Sequence, residues 1–397
     1  METAPGSVWL DARGIQSVGH AGRGVARYVT EQARALLELA PELIGWVGLN
    51  PDLPLPESAQ FLERSGKVAP QTASAGPSDA PPGIYHVMSP GEADLELDEI
   101  WPVWSRSSRL VLTLHDLIPL IMREHYNADW GHWSTAWIAR LGLVGAAHQV
   151  LTNSQQTAED AMEHLRVPEE RITVIGSGVS DRFSSLVRTP EQADALLRLA
   201  LPKVRPGFLL YVGGVDYRKN LEGTIRAYAE LPAAMRDPHQ LVIVCKLAYH
   251  RRLSLRAFAL DLGIESPNLL LTGFVPDREL AALYRACELF VFPSLYEGAG
   301  LPILEAMSCG APVAASGVSA MPELLGDPAA TFDPADPSDI ARCIREVLAN
   351  RAMLKALRAS SREQAALRTW ERVAKRTVEG YERALEFPLE PAKLPAL

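Results

Sequence analysis

The sequence predicts an α/β fold of two tandem domains, each a parallel sheet covered by helices. Three observations carry this. Apolar runs of strand length alternate with helical patterns along the whole chain, the signature of repeated βαβ units. The runs divide six and six between the two halves. A chain of 397 residues, 47% hydrophobic and 22% charged, is long enough for two cores of ordinary size and has the side chains to fill both.

In chain order, the strand runs of the first half are 8–10, 44–49, 84–88, 110–114, 149–152 and 172–175. Those of the second half are 208–212, 241–245, 269–272, 289–292, 312–315 and 330–332. Between the halves, Thr189-Pro190-Glu191-Gln192 is a capping box that opens a helix to about Ala200. Residues 201–207, with two prolines and two basic side chains, read as the linker, so the domains are expected at 1–200 and 207–369. Residues 50–82 are rich in Pro, Ser and Ala and read as one long loop. The last twelve residues carry three prolines and read as a loosely held tail.

Composition excludes several classes. A net charge of −9 argues against a nucleic-acid partner, which would need a basic face. Cys245, Cys287, Cys309 and Cys343 sit in apolar surroundings without metal-ligand spacing, so they read as core filler in a reducing compartment. No run of 18 apolar residues exists, and the N-terminus has no basic stretch followed by an apolar one. The expectation is a cytoplasmic chain with at most peripheral contact at the inner face of the membrane.

The most informative stretch is Glu297-Gly298-Ala299-Gly300-Leu301-Pro302-Ile303-Leu304-Glu305. Residues 289–293 read as a buried strand and 302–308 as a helix. A helix start after a Gly-rich turn offers unpaired N–H groups and a positive dipole to an anion. Glu297 hangs from the loop before that helix, and Glu305 lies about one turn into it. An anion-binding backbone between two acceptors for sugar diols suits a nucleotide sugar, with phosphates in the middle, ribose at one carboxylate and hexose at the other. The competing reading is an ordinary solvated βα turn.

Other candidates also follow strands, where open α/β sheets bind ligands. Gly213-Gly214-Val215-Asp216-Tyr217-Arg218-Lys219-Asn220 follows the first strand of the second half. Its glycines allow close backbone approach, and Arg218 and Lys219 supply two cations suited to a diphosphate leaving group. Gly19, Gly22 and Gly24 follow the first strand of the chain, but their spacing is not Gly-x-Gly-x-x-Gly and no acidic residue ends a second strand, which weakens a dinucleotide reading. His115-Asp116 ends the fourth strand, a common place for substrate-orienting groups. His125 and His132 have no metal spacing. No Gly-x-Ser-x-Gly elbow, Walker loop or strand-following Asp-x-Asp is present, so no metal is predicted.

Taken together these residues resemble the retaining family 4 glycosyltransferases of GT-B fold. The match is most specific over about 60 residues, from Thr272-Gly273-Phe274-Val275-Pro276-Asp277 through Asp333-Pro334. Between them stand Phe292-Pro293-Ser294, the Glu297–Glu305 motif, Gly310-Ala311-Pro312-Val313 and Met321-Pro322-Glu323-Leu324. Arg218-Lys219-Asn220, Asn153-Ser154 and Ile175-Gly176-Ser177-Gly178-Val179 look similar, and Trp370-Glu371-Arg372 opens a final helix, about 370–386, like the one that returns to the first domain in this fold. Three departures stand out. Ala299 replaces a frequent Phe, Gly214 an occasional Arg, and Ile175-Gly176-Ser177-Gly178 a more usual Pro-Asn-Gly.

The resemblance implies a cleft site. Glu297 would take donor-sugar hydroxyls with the N–H groups of Gly298, Ala299, Gly300 and Leu301. Glu305 would take the ribose, and Arg218 and Lys219 the diphosphate, with Gly22 and Gly24 approaching from the other domain. Gly213 would lie beside the donor, Gly273, Phe274 and Val275 would meet the base, and His115 would lie near the anomeric carbon. The implied activity is hexose transfer with retention and without metal or cofactor, from a nucleotide sugar to a saccharide or lipid-linked saccharide. The stretch Arg13-Gly14-Ile15-Gln16, with Arg23-Gly24 and Arg27-Tyr28, resembles bacterial polysaccharide mannosyltransferases, which makes GDP-mannose the first donor and a UDP- or dTDP-sugar the second. Two other readings compete, an epimerase or hydrolase of sugar nucleotides and a non-catalytic sugar-nucleotide binder.

Overall fold

The computed structural model describes residues 6–16, 24–71, 83–91, 96–126, 131–326 and 330–388. They form two compact units, Met1–Gly178 with Trp370–Leu397, and Val179–Thr369.

The first unit is built on seven parallel strands in the order β3-β2-β1-β4-β5-β6-β7. These are β1 (Val8–Asp11), β2 (Ile44–Leu49), β3 (Val68–Pro70), β4 (Ile84–Val87), β5 (Arg109–Leu114), β6 (Gln149–Thr152) and β7 (Ile172–Val174). The chain returns to this unit at its end. Helix Trp370–Glu386 buries Val373, Ala374, Thr377, Tyr381 and Ala384, a helical stripe facing the core, and packs against helix Gly24–Leu39. Polar bonds fix it to the sheet. Tyr381 Oη meets His86 Nδ1 of β4 at 2.7 Å, His86 Nε2 meets Thr113 Oγ1 of β5 at 2.7 Å, and Gln32 Nε2 donates to Thr377 Oγ1 at 3.3 Å.

The second unit has six parallel strands in the order β10-β9-β8-β11-β12-β13. They are β8 (Leu209–Val212), β9 (Leu241–Val244), β10 (Leu269–Leu271), β11 (Leu289–Phe292), β12 (Val313–Ser316) and β13 (Thr331–Phe332). Counted within the unit this is 3-2-1-4-5-6, the doubly wound order, whose crevice opens where the order reverses, here between β8 and β11. Alternate strand residues feed two cores, one on each face: Leu210, Val242, Phe290 and Phe292 on one side, and Leu209, Tyr211, Ile243 and Val291 on the other.

All twelve expected strand runs are present, with ends shifted by a residue or two. The stretch 50–82 is not one long loop. Helix Phe61–Arg64 and strand β3 lie within it, and 72–82 fall outside the described residues. β3 is three residues long, ends on Pro70 and pairs only with β2 at the sheet edge, where a proline is tolerated and an apolar run is not required. The division between units falls at Gly178/Val179, ahead of the segment 201–207 read as the linker. Phe183, Val187, Ala193 and Leu197 are core residues of the second unit, so helix Pro190–Ala200 packs there, against Asp277–Ala286. The four cysteines are buried and free, and Trp137 is 7% exposed in the first unit's core.

Candidate active site

In the second unit Arg218, Lys219 and Glu297 meet at the switch point between β8 and β11; Glu305 and the Gly273–Val275 segment are not part of that group. Asp216 caps a short turn after β8, accepting from Arg218 N at 3.1 Å, and Asn220 ends it in the left-handed conformation at φ 54°. Asn is among the residues that tolerate this region. Its side-chain amide donates to Pro293 O at 3.1 Å and Pro334 O at 2.7 Å. The turn is thereby tied to the ends of β11 and β13, and Leu295 N donates to Arg218 O at 2.7 Å.

The result is a compact charged group. Glu297 Oε2 accepts from Arg218 Nη1 at 2.6 Å, and Glu297 Oε1 from Lys219 Nζ at 2.5 Å. The side chains are 8%, 20% and 14% exposed for Glu297, Arg218 and Lys219. Burial pushes the Glu297 carboxyl up, but Arg218 and Lys219 outweigh it and hold it at about 2. Burial pulls the Lys219 ammonium down against the opposing effect of Glu297. Arg218 also pairs with Asp216 at 3.7 Å, so two cations stand against two carboxylates, of which only Glu297 is buried, in the loop that leads into helix Leu301–Ser308.

That helix opens on Gly300, left-handed at φ 61°, and a Cβ there would stand 2.9 Å from Leu324 Cδ1, so the turn favours glycine. Gly298 is buried, Ala299 and Leu301 are half-buried, and Glu305 accepts from Tyr284 Oη at 3.4 Å. Gly213 directly follows β8, with its N–H donating to Val244 O at 3.1 Å. Beyond β10, Gly273 has φ 85°, Phe274 is 76% exposed and Val275 is buried.

His115 and Gly24 belong to the first unit, and Gly22 lies outside the described residues. Gly24 is the exposed first residue of helix Gly24–Leu39. His115 Nε2 faces Met88 O at 2.9 Å, so it is the protonated ring nitrogen and Nδ1 is the acceptor. Tyr28 packs edge-on, 5.0 Å from the imidazole, and donates its hydroxyl to Gly176 O at 2.5 Å. The His115 carbonyl accepts from Asn153 Nδ2 at 2.8 Å. The Asn153-Ser154 and Gly176-Ser177 segments thus hold the His115 loop in place. Arg13, noted for its motif, is buried on Asp11 at 2.7 Å, a structural pair.

Burial lowers the imidazole of His115 to about 4 and that of His86 to about 3. A base depressed in the folded state binds fewer protons than in the unfolded state between these values and 6.5, so stability is complete above pH 6.5 and falls as the pH drops towards 4. All eight tryptophans lie in Met1–Gly178 or Trp370–Leu397, so tryptophan fluorescence reads the first unit. We expect its unfolding free energy to fall by on the order of 3 kcal/mol from His115 alone between pH 6.5 and 4. A urea midpoint that stays flat over this range would refute the neutral, buried state of both rings.

Sequence reasoning did not find Ser319. Its hydroxyl donates to Glu297 O at 2.6 Å and accepts from Glu297 N at 3.2 Å, and its own φ is 54°. Nothing in the sequence near Ser319 signals this, because it depends on a contact 22 positions away.

The fold is that of the GT-B glycosyltransferases. HepE of Anabaena, solved in complex with UDP and glucose, superposes with a TM-score of 0.70 at 19% identity, over 94% of this chain and 98% of that one. The family model "Glycosyl transferases group 1" matches residues 199–364, and "Glycosyltransferase Family 4" matches 22–183. D-inositol 3-phosphate glycosyltransferase 1 of Catenulispora acidiphila is 30% identical over 71% of this chain and 68% of that protein. The chain belongs to the group 1, family 4 glycosyltransferases. The serotype-specific mannosyltransferase WbdA of Escherichia coli is 29% identical over 96% of this chain and 49% of its own length, so the chain spans about half of that relative.

Proposed function

We propose that the chain transfers a hexose from a nucleoside-diphosphate sugar to a saccharide or lipid-linked saccharide, with retention at the anomeric carbon and without a metal. One observation carries the reading. Arg218, Lys219 and Glu297 meet at the switch point of the second unit beside a helix N-terminus, which suits a diphosphate next to a polyol. The Lys219 ammonium has donors beyond the one given to Glu297, and Lys219 and Arg218 together would take the diphosphate. Glu297 and the N–H groups from Gly298 to Leu301 would hold the hexose, Glu305 the ribose, and Gly213 would line the donor. The roles of His115, Gly22 and Gly24 at the donor rest on family resemblance.

In the reaction, the bond from the anomeric carbon to the diphosphate oxygen breaks. The acceptor oxygen bonds to the same face, and its proton passes to the leaving phosphate. Charge grows on that phosphate in the transition state, where preoriented cations and helix dipole act most strongly. The mannosyltransferase relative supports GDP-mannose as donor. HepE, solved with UDP and glucose, supports a UDP-sugar as the second reading. No helix among the described residues is long and apolar enough to cross a membrane, and membrane contact is proposed to be peripheral at most.

The test is calorimetric unfolding with GDP, UDP, dTDP, ADP and NAD without added metal. A ligand at 100 times its dissociation constant stabilises the folded state by about 2.7 kcal/mol. Stabilisation by one nucleoside diphosphate is the expected result, and a response to NAD alone would sink the proposal.

A further inference from the structure

The base end of the proposed donor site holds a cation that the reading above does not use. Strands β9 and β10 are neighbours, with Leu271 opposite Ile243. Their carboxyl ends therefore lie side by side. β10 leads into Gly273, whose φ of 85° turns the backbone sharply. β9 leads into helix Tyr249–Asp261. On that helix Tyr249 and Arg252 are three positions apart and share a face. Arg252 Nη2 lies 3.1 Å from where a Cβ on Gly273 would stand, so the guanidinium lies against the backbone that leaves β10.

Three properties of this corner point to a planar ligand. Tyr249 is 77% exposed and Phe274 is 76% exposed. Large aromatic rings left so open beside a strand end are suited to stacking on a base. Arg252 is half-buried, and its guanidinium has no hydrogen-bond or ion-pair partner among the described residues. Its neighbour Arg251, by contrast, is paired with Glu222. The corner thus offers two stacking surfaces and an uncommitted fork of donors with no acceptor.

We infer that Arg252 is a specificity-determining residue that selects guanine in the donor nucleotide. The inference rests on the proposed donor site. A guanidinium donates only, and guanine presents two adjacent acceptors, O6 and N7, which it can take in bidentate fashion. Adenine sets an amino donor beside N7, so one arm of the fork would face another donor. Uracil and thymine offer a single acceptor, O4, on the corresponding edge. Phe274 and Tyr249 serve any base, whereas Arg252 distinguishes among them.

The experiment is titration calorimetry of the full chain with GDP, UDP and ADP, for the native protein, Arg252→Met and Phe274→Ala. Met keeps the apolar stem of Arg, and both positions are partly or largely open, so the variants are expected to fold. GDP should bind the native protein most tightly. Arg252→Met should weaken GDP by about 10-fold or more and leave UDP and ADP within a factor of about three, abolishing the preference. Phe274→Ala should weaken all three together. Parallel loss of all three in Arg252→Met would overturn the inference and leave the donor site standing, because it would reduce Arg252 to a general phosphate attractor. A native preference for UDP or ADP would overturn it too. Absence of binding by any nucleotide would overturn both the inference and the donor site.

Discussion

Replacing Glu297 by alanine is expected to lower turnover by at least two orders of magnitude, about 3 kcal/mol of transition-state stabilisation, and to destabilise the second unit as well. The carboxylate stands between two cations that are only 20% and 14% exposed. Removing one member of a buried ion group typically costs about 3–5 kcal/mol, because the remaining charges lose their partner. Arg218 keeps Asp216 and the Tyr296 carbonyl as partners, so the low end of that range is expected. Glu297→Gln, which keeps shape and one acceptor, should be less destabilising and nearly as inactive. Affinity for the nucleoside diphosphate alone separates two roles. If Glu297 holds the hexose, that affinity should hold or rise in Glu297→Ala, since an anion has left the neighbourhood of the phosphates. If Glu297 only keeps the cations in place, it should fall. Near-native turnover in either variant would remove Glu297 from the site.

Lys219→Ala should lose a comparable amount of activity with a much smaller change in stability. Burial already works against the Lys219 ammonium, so its removal relieves a desolvation cost. Glu297 also keeps Arg218 at 2.6 Å. The loss should appear in turnover, because the ammonium would act on charge that grows only as the phosphate leaves. Lys219→Arg should not rescue it, since a planar fork does not replace a compact ammonium between Glu297 and the Phe292 ring, whose centroid is 5.6 Å from Nζ. Stability must be followed by calorimetry, because the second unit contains no tryptophan. Turnover within a few-fold of native would place the charge stabilisation elsewhere.

The sequence made the strands legible because a parallel strand covered on both faces must be apolar throughout, as Leu289–Phe292 and Leu241–Val244 are. β3 was hidden because an edge strand of three residues answers to no such demand. The Glu297–Glu305 motif could be located from its turn and helix start, and Arg218 and Lys219 from their position after a strand. What could not be read is that these cations close on Glu297. The partners are 79 and 78 positions apart, and only the juxtaposition of β8 with β11 brings them together. Arg252 escaped for a related reason, since its neighbour Gly273 lies in the next strand connection.

Helix Trp370–Glu386 has a consequence for how the molecule is made. Its residues Thr377 and Tyr381 complete polar contacts to Gln32 and His86, laid down some 300 positions earlier in synthesis. The unit whose strands leave the ribosome first therefore waits for the last helix, while the unit of Val179–Thr369 has all its elements beforehand. The usual sequence, in which the N-terminal body matures first, is expected to be reversed. In the interval the sheet of the first unit exposes the surface that this helix later covers, and in that interval the nascent chain most needs protection from aggregation.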